Sequence, residues 1–189
     1  MAGLDILLSV GAGIALAAAA GFRVFVPLLA TAIAVQYGAF TPAAGFEWLG
    51  DTWVLVALAV ATFLEVLAYY VPGLDHLLDA VAAPLALVAG VVVAASVMTD
   101  LPGWLRWLAA IVAGGTATAA TYSLSSLTRG GSATLTGGLG NPVVSTGELA
   151  SAAGLALLAL LLPLLAGLAA LALVALALRR LLRRRRSTA

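Results

Sequence analysis

Long apolar runs, interrupted at wide intervals by one or two polar residues, set the pattern of this chain. Residues 4 to 35 are almost unbroken hydrocarbon. A helix needs about 20 apolar residues to cross a bilayer core, so this stretch predicts one long tilted helix, or a full span followed by a half-span. Residues 36 to 52, QYGAFTPAAGFEWLGDT, read as the first loop. Pro42, Gly45 and Gly50 break helices there, and Tyr37, Phe40, Phe46, Trp48 and Trp53 suit an interfacial aromatic belt. A second span is expected from about Trp53 to Val71. A third element opens at Asp75 and runs apolar to Met98, with Pro84 in its early turns. After a turn at Asp100, Pro102 and Gly103, a fourth span runs from Trp104 to about Tyr122. Then the pattern changes. Residues 115 to 142 are rich in Gly, Ser and Thr, with eleven hydroxyl side chains and a single charge, Arg129. They read as an external flexible loop or as a re-entrant segment that offers amides and hydroxyls to a solute. Residues 152 to 178 complete the set as one long span with Pro163 inside it.

The pattern predicts an all-α, polytopic helical membrane bundle of about five transmembrane helices, with a re-entrant or broken-helix segment. Residues 1–178 form the transmembrane domain, and residues 179–189 an arginine-rich cytoplasmic tail. That tail, RRLLRRRRSTA, places six arginines within ten residues of a span end, which holds the C-terminus on the cytoplasmic side. Counting back with single crossings puts 123–150 outside, 99–103 inside, 72–79 outside and 36–52 inside. The N-terminus is outside if residues 4–35 cross once, and inside if they cross twice or re-enter. Asp5 stands where a signal peptide has basic residues, and the apolar run outlasts a cleavable core, so the N-terminus is expected to be retained. The expected location is a bacterial inner membrane, with the lipid bilayer as the first partner and a homo-oligomer compatible with so small a bundle.

Composition narrows the chemistry. The chain has 189 residues, 63% hydrophobic and 9% charged, where soluble domains carry about 25% charged residues. A net charge of +1 gives no reason to expect a nucleic-acid partner. The absence of cysteine removes disulfides, thiolate metal sites and cysteine nucleophiles. The 115–142 segment is no phosphate-binding P-loop, because that motif needs a lysine and all nine basic residues are arginine. No cofactor is expected, and no complete catalytic set points to an enzyme.

What remains is a handful of polar groups inside apolar stretches. Arg23 lies either at an interface, where it can snorkel, or near the midplane, where it needs an anionic partner or a wet cavity. Pro27 as a helix-interior proline would free the carbonyl of Arg23. Glu65 sits inside the second span, with Arg23 as its obvious counter-ion, either as a substrate or proton site or as a latch between helices. Asp75 and Asp79 share a helix face, His76 can meet Asp79, and together they could supply two carboxylates and an imidazole to a hard divalent ion; equally, Asp75 can cap the helix and Asp79 complement its dipole. Asn141, Ser145 and Glu148 fall on one face of the last helix. A small transporter or channel for an ion or small solute would gather Arg23, Glu65, Asn141, Ser145 and Glu148, with Asp75, His76 and Asp79 at a mouth or as a metal site. In a non-transporting scaffold the same charges are structural. An enzyme acting on lipid at Asp75–Asp79 is the third alternative. A five-residue echo, PLLAT at 27–31 and PVVST at 142–146, hints at an internal repeat.

Three ordered motifs, GFRVFVPLL at 21–29, FLEVLAYYVPGLDHLLD at 63–79 and TGGLGNPVVST at 136–146, resemble a family of bacterial integral membrane proteins, domain of unknown function 4126. The resemblance runs from about Leu4 to Leu165 and leaves the arginine tail outside. It implies a small helical inner-membrane protein and supplies no mechanism.

Overall fold

The computed structural model describes the backbone of residues 2–70 and 74–187, and the side-chain surroundings of residues 3–70 and 81–180. Eight helices follow in order: α1 (Ala2–Ala20), α2 (Phe25–Gln36), α3 (Thr52–Ala68), α4 (Leu74–Val97), α5 (Gly103–Ala109), α6 (Gly115–Thr136), α7 (Asn141–Leu161) and α8 (Pro163–Ser187). A 3-10 turn (Glu47–Gly50) precedes α3, and a π-helical turn (Ala110–Gly114) joins α5 to α6 with helical dihedrals on both sides. Gly3–Ala20, Asn141–Leu161 and Pro163–Arg180 are each long and apolar enough to cross a membrane, and Phe25–Gln36, Thr52–Ala68 and Val81–Val97 are shorter apolar helices. The protein is a polytopic helical membrane bundle.

α1 is its central post. Ala15 to Ala20 are buried on every side, the state of a helix that is apolar all round. α4, α6, α7 and α8 pack directly on it. Small residues let the backbones come close. A Cβ on Gly13 would meet the Met98 side chain, and one on Gly167 would lie 2.9 Å from the Cα of Gly11. One on Gly21 would collide with the Thr121 hydroxyl.

Two ends of the bundle can be named by their residues. At the Asp5 end, Ser9, Phe40, Thr99, Ala159 and Pro163 surround one cavity. At the Arg23 end, Phe22, Ser125, Glu148, Leu173 and Arg180 surround another. The helices therefore alternate: α1 toward the Arg23 end, α2 back, α3 forward, α4 back, α5–α6 forward, α7 back and α8 forward. The stretch expected as one span over 152–178 is a helical hairpin. Leu162, at φ −138° and ψ 66°, reverses the chain before Pro163 opens α8. A proline is comfortable in a first helical turn, so Pro163 starts a helix rather than kinking one. The extra pass moves the 137–140 turn to the same end as α8's C-terminus, and every earlier loop changes sides relative to that terminus.

Residues 115–136 are neither an external loop nor a re-entrant segment; they form α6. The hydroxyls that gave the segment a loop-like composition bond back to the carbonyl four residues earlier. Thr116 donates to Val112 (2.5 Å), Ser123 to Ala119 (2.7 Å), Thr128 to Leu124 (2.9 Å) and Thr136 to Ser132 (2.7 Å). Such back-bonding makes hydroxyls tolerable inside a helix. Only Gly137 and Gly138, at φ +61° and +90°, leave it, in the left-handed conformation that commonly ends helices.

The aromatic belt is partial. Tyr37 and Trp53 are exposed, whereas Phe46 is buried against Trp107, with their ring centroids 5.8 Å apart. The loop folds over the Asp5 end, where Ala43 N–H donates to Ser96 O (2.8 Å) and Arg106 to Ala44 O (3.1 Å). Its own amide and that of Gly45 hold the Glu47 carboxyl below the usual range. Pro84 lies well inside α4 rather than in its early turns.

Two substitutions test this packing in thermal unfolding of detergent-solubilised protein. Gly21→Val overfills the α1–α6 contact and should destabilise by about 2–3 kcal/mol. Gly130→Ala meets nothing within 4 Å and should stabilise α6 by about 0.5–1 kcal/mol.

Candidate functional site

The site grows from the break between α1 and α2. α1 stops at Ala20, and residues 21–24 turn the chain before α2 begins at Phe25. The turn leaves carbonyls at the end of α1 and amides at the start of α2 to be satisfied from elsewhere. The turn meets some of them itself, with Gly21 N–H donating to Ala18 O (3.3 Å) and Phe22 and Arg23 N–H to Ala19 O (3.0 and 3.1 Å), and other helices supply the rest. Thr118 and Thr121 of α6 donate to the carbonyls of Ala17 and Ala18, each at 2.8 Å. Glu65 of α3 accepts the N–H of Val24 at 2.7 Å and that of Phe25 at 3.1 Å. A carboxylate at a helix N-terminus also complements the helix dipole. Pro27 lies in the first turn of α2, so it removes an amide that has no intrahelical partner anyway. It is not the interior kink that its spacing from Arg23 suggested.

The break carries Arg23 into the protein, where it is 1% exposed. Its Nη2 donates to the Ser145 carbonyl at 2.9 Å and to the Ser145 hydroxyl, and lies 3.5 Å from Glu148. Arg129 of α6 reaches the same carboxylate, with Nε 3.2 Å from Oε1. Ser125 donates to Glu148 and accepts from Arg129 at 3.2 Å. Tyr69, at the end of α3, lies against both guanidinium groups, whose central carbons are 4.2 Å (Arg23) and 4.7 Å (Arg129) from the ring centroid. Cations over aromatic faces gain most where water is excluded. Within α3 Glu65 is the buried residue, and Tyr69 follows four positions on. The helix also packs along α2, with Leu58 against the core, and Gln36 bonds Thr52 at its start (3.1 Å).

Arg23 keeps two buried donors, Nε and Nη1, without a hydrogen-bond partner. Two cavities flank the cluster. One, of about 460 Å³, lies among α2, α3 and α4 with apolar walls and reaches Glu65 and Tyr69. The other, of about 380 Å³, lies among α6, α7 and α8 and reaches Ser125, Glu148 and Arg180.

Of the residues expected from the sequence, Arg23, Glu65, Ser145 and Glu148 meet here. Asn141 is half-buried on the same face of α7, one turn before Ser145. Glu65 faces the start of α2, while the ion pair of Arg23 is with Glu148. The side chains of Asp75, His76 and Asp79 lie outside the described residues. Arg129, Ser125 and Tyr69 were not foreseen as site residues. The spacing of Thr118, Thr121, Ser125 and Arg129, at intervals of three or four, is that of one helical face, and was the available signal. The echo at 27–31 and 142–146 opens two helices the same way: Thr31 donates to Pro27 O and Thr146 to Pro142 O, both at 2.8 Å. α2 and α7 run in the same direction, so the echo is not an inverted pair.

A family model described as "Domain of unknown function (DUF4126)" matches residues 10–183. The chain belongs to the DUF4126 family. The match holds every residue of the cluster and continues through α8 into the arginine tail, further than the sequence motifs reached. No curated protein and no solved structure matches this DUF4126 chain.

The cluster yields two expectations for DUF4126 stability. Glu148→Gln removes the carboxylate that Arg23 and Arg129 both approach and should cost about 3–5 kcal/mol; the double variant with Arg129→Gln should cost less than the sum of the single changes, by about 1 kcal/mol or more on the same unfolding assay. Glu65→Ala strips the first amides of α2 of their acceptor and should cost about 1–3 kcal/mol, with hydrogen exchange rising at Val24 and Phe25 before it rises in α1.

Proposed function

We propose that the protein is a small transporter or channel for an ion or small solute, with Arg23, Arg129 and Glu148 as its site. The observation that carries this reading is the pair of unpartnered donors on Arg23, buried in a membrane bundle. Most buried polar groups find a partner, and an orphan calls for an explanation. A charge at membrane depth costs at least about 2.5 kcal/mol, so an arginine kept only as a latch would be expected to use its donors. A bound solute supplies the missing acceptor.

Orientation follows from the tail. With its arginines held on the cytoplasmic side, the Arg23 end is the cytoplasmic end, the 137–140 turn is cytoplasmic, and the loop over the Asp5 end faces outward. In a bacterium this is the inner membrane. A second reading, a non-transporting scaffold, is favoured by Glu65, whose two oxygens both serve the start of α2.

The test is flux through reconstituted vesicles, read for protons, sodium, chloride and inorganic phosphate. Wild type should raise at least one of these tenfold over empty vesicles. Ser145→Ala, which keeps both arginines and Glu148, should change that rate at least threefold without altering monodispersity. Rates equal to empty vesicles for all four would leave the scaffold reading in place.

A further inference from the structure

We propose that the crevice among α2, α3 and α4 takes a single-chain fatty acid from the bilayer, its hydrocarbon along the crevice and its carboxylate on Arg23. The proposal names a ligand class for the cluster and rests on the reading above only in treating that cluster as a ligand site.

Three features converge. The crevice, about 460 Å³, has the volume of a small-molecule site. Its walls include Ala61, Ala68 and Ala82, and its rim includes Leu64, Val81 and Leu85, all exposed on the outer surface of a membrane bundle. In a bilayer that rim meets hydrocarbon. Walls of this kind exclude a hydrated ion and favour an alkyl chain, because they offer no acceptors or donors to replace a hydration shell.

The inner end is different. There the crevice reaches Tyr69, whose ring lies on the Arg23 guanidinium. Behind the ring, Nε and Nη1 of Arg23 want acceptors. A carboxylate supplies them, and charge-assisted bonds of guanidinium to carboxylate are among the stronger hydrogen bonds. Glu65 stands at the same end, but its oxygens face the amides of Val24 and Phe25, where a helix N-terminus offsets its charge. Tyr69 is the door: a swing of its ring opens the crevice to Arg23.

The experiment uses the intact protein in nanodiscs with two photoreactive probes of one chain length, a diazirine-bearing palmitic acid and the matching alcohol. Adducts are located by mass spectrometry. The acid should label peptides containing residues 61–68 and 81–85 at least fivefold more than the alcohol. Ala82→Phe, which fills the crevice and leaves every charged residue in place, should cut acid labelling at least fivefold. Arg23→Gln should bring the two probes to equal yield. Equal labelling of wild type by acid and alcohol overturns the proposal, as does acid labelling that survives Ala82→Phe. Full displacement of the acid by equimolar phosphatidylglycerol also overturns it, since the occupant would then be a two-chain lipid. Acid labelling in a protein that moves none of the four ions keeps this proposal and removes the transport reading; ion flux without acid preference does the reverse.

Discussion

The turn between α1 and α2 leaves backbone groups that must find hydrogen bonds within the protein, and the structure around residues 21–24 is arranged by that constraint. The end of α1 and the start of α2 each expose polar groups that their own helices cannot satisfy. Two threonines from α6 share the first set with amides of the turn, and Glu65 from α3 accepts from the second. Helices far apart in sequence are thereby tied to one point. The glycine at the break is a steric consequence of the same arrangement, because the threonine hydroxyls can reach the carbonyls of Ala17 and Ala18 only where nothing stands between.

The charged cluster is built on that point. Once the backbone at the break is satisfied by neutral hydroxyls and a carboxylate, Arg23 is free to face α7, where Ser145 and Glu148 share a face. Arg129 approaches from α6 and completes a triad in which one carboxylate lies between two guanidinium groups. Buried charges of this kind are costly unless well paired, and Glu65 stands close by as a second carboxylate. Tyr69 presents its ring to both guanidinium groups.

Much of this was legible in the residues. The apolar runs gave a membrane bundle, and Arg23, Glu65, Ser145 and Glu148 stood out because polar groups in such runs need a reason. The pairing was harder. Distance along the chain made Arg23 and Glu65 obvious counter-ions, yet a carboxylate is drawn as strongly to unsatisfied amides as to a guanidinium, and nothing in the sequence showed that α1 would end at Ala20. Residues 115–136 misled for a related reason. Gly, Ser and Thr are common in loops because they bond to nearby backbone, and in a bilayer that same habit sustains a helix. Arg129 was hidden inside that misreading. At Pro163 an apolar stretch long enough for one tilted span concealed two helices, since proline starts a helix as readily as it bends one.

The π-helical turn at Ala110–Gly114 has a mechanical consequence for the whole α5–α6 rod. Buried positions along it recur at Ala110, Gly114, Thr118, Thr121, Ser125 and Arg129, mostly every fourth position. A regular helix of 3.6 residues per turn drifts by about 40° with each such step. One wider turn takes up the accumulated lag, as a leap day does for a calendar. The tight, glycine-lined seam against α1 and the buried arginine further along the same rod therefore depend on one shared rotational setting.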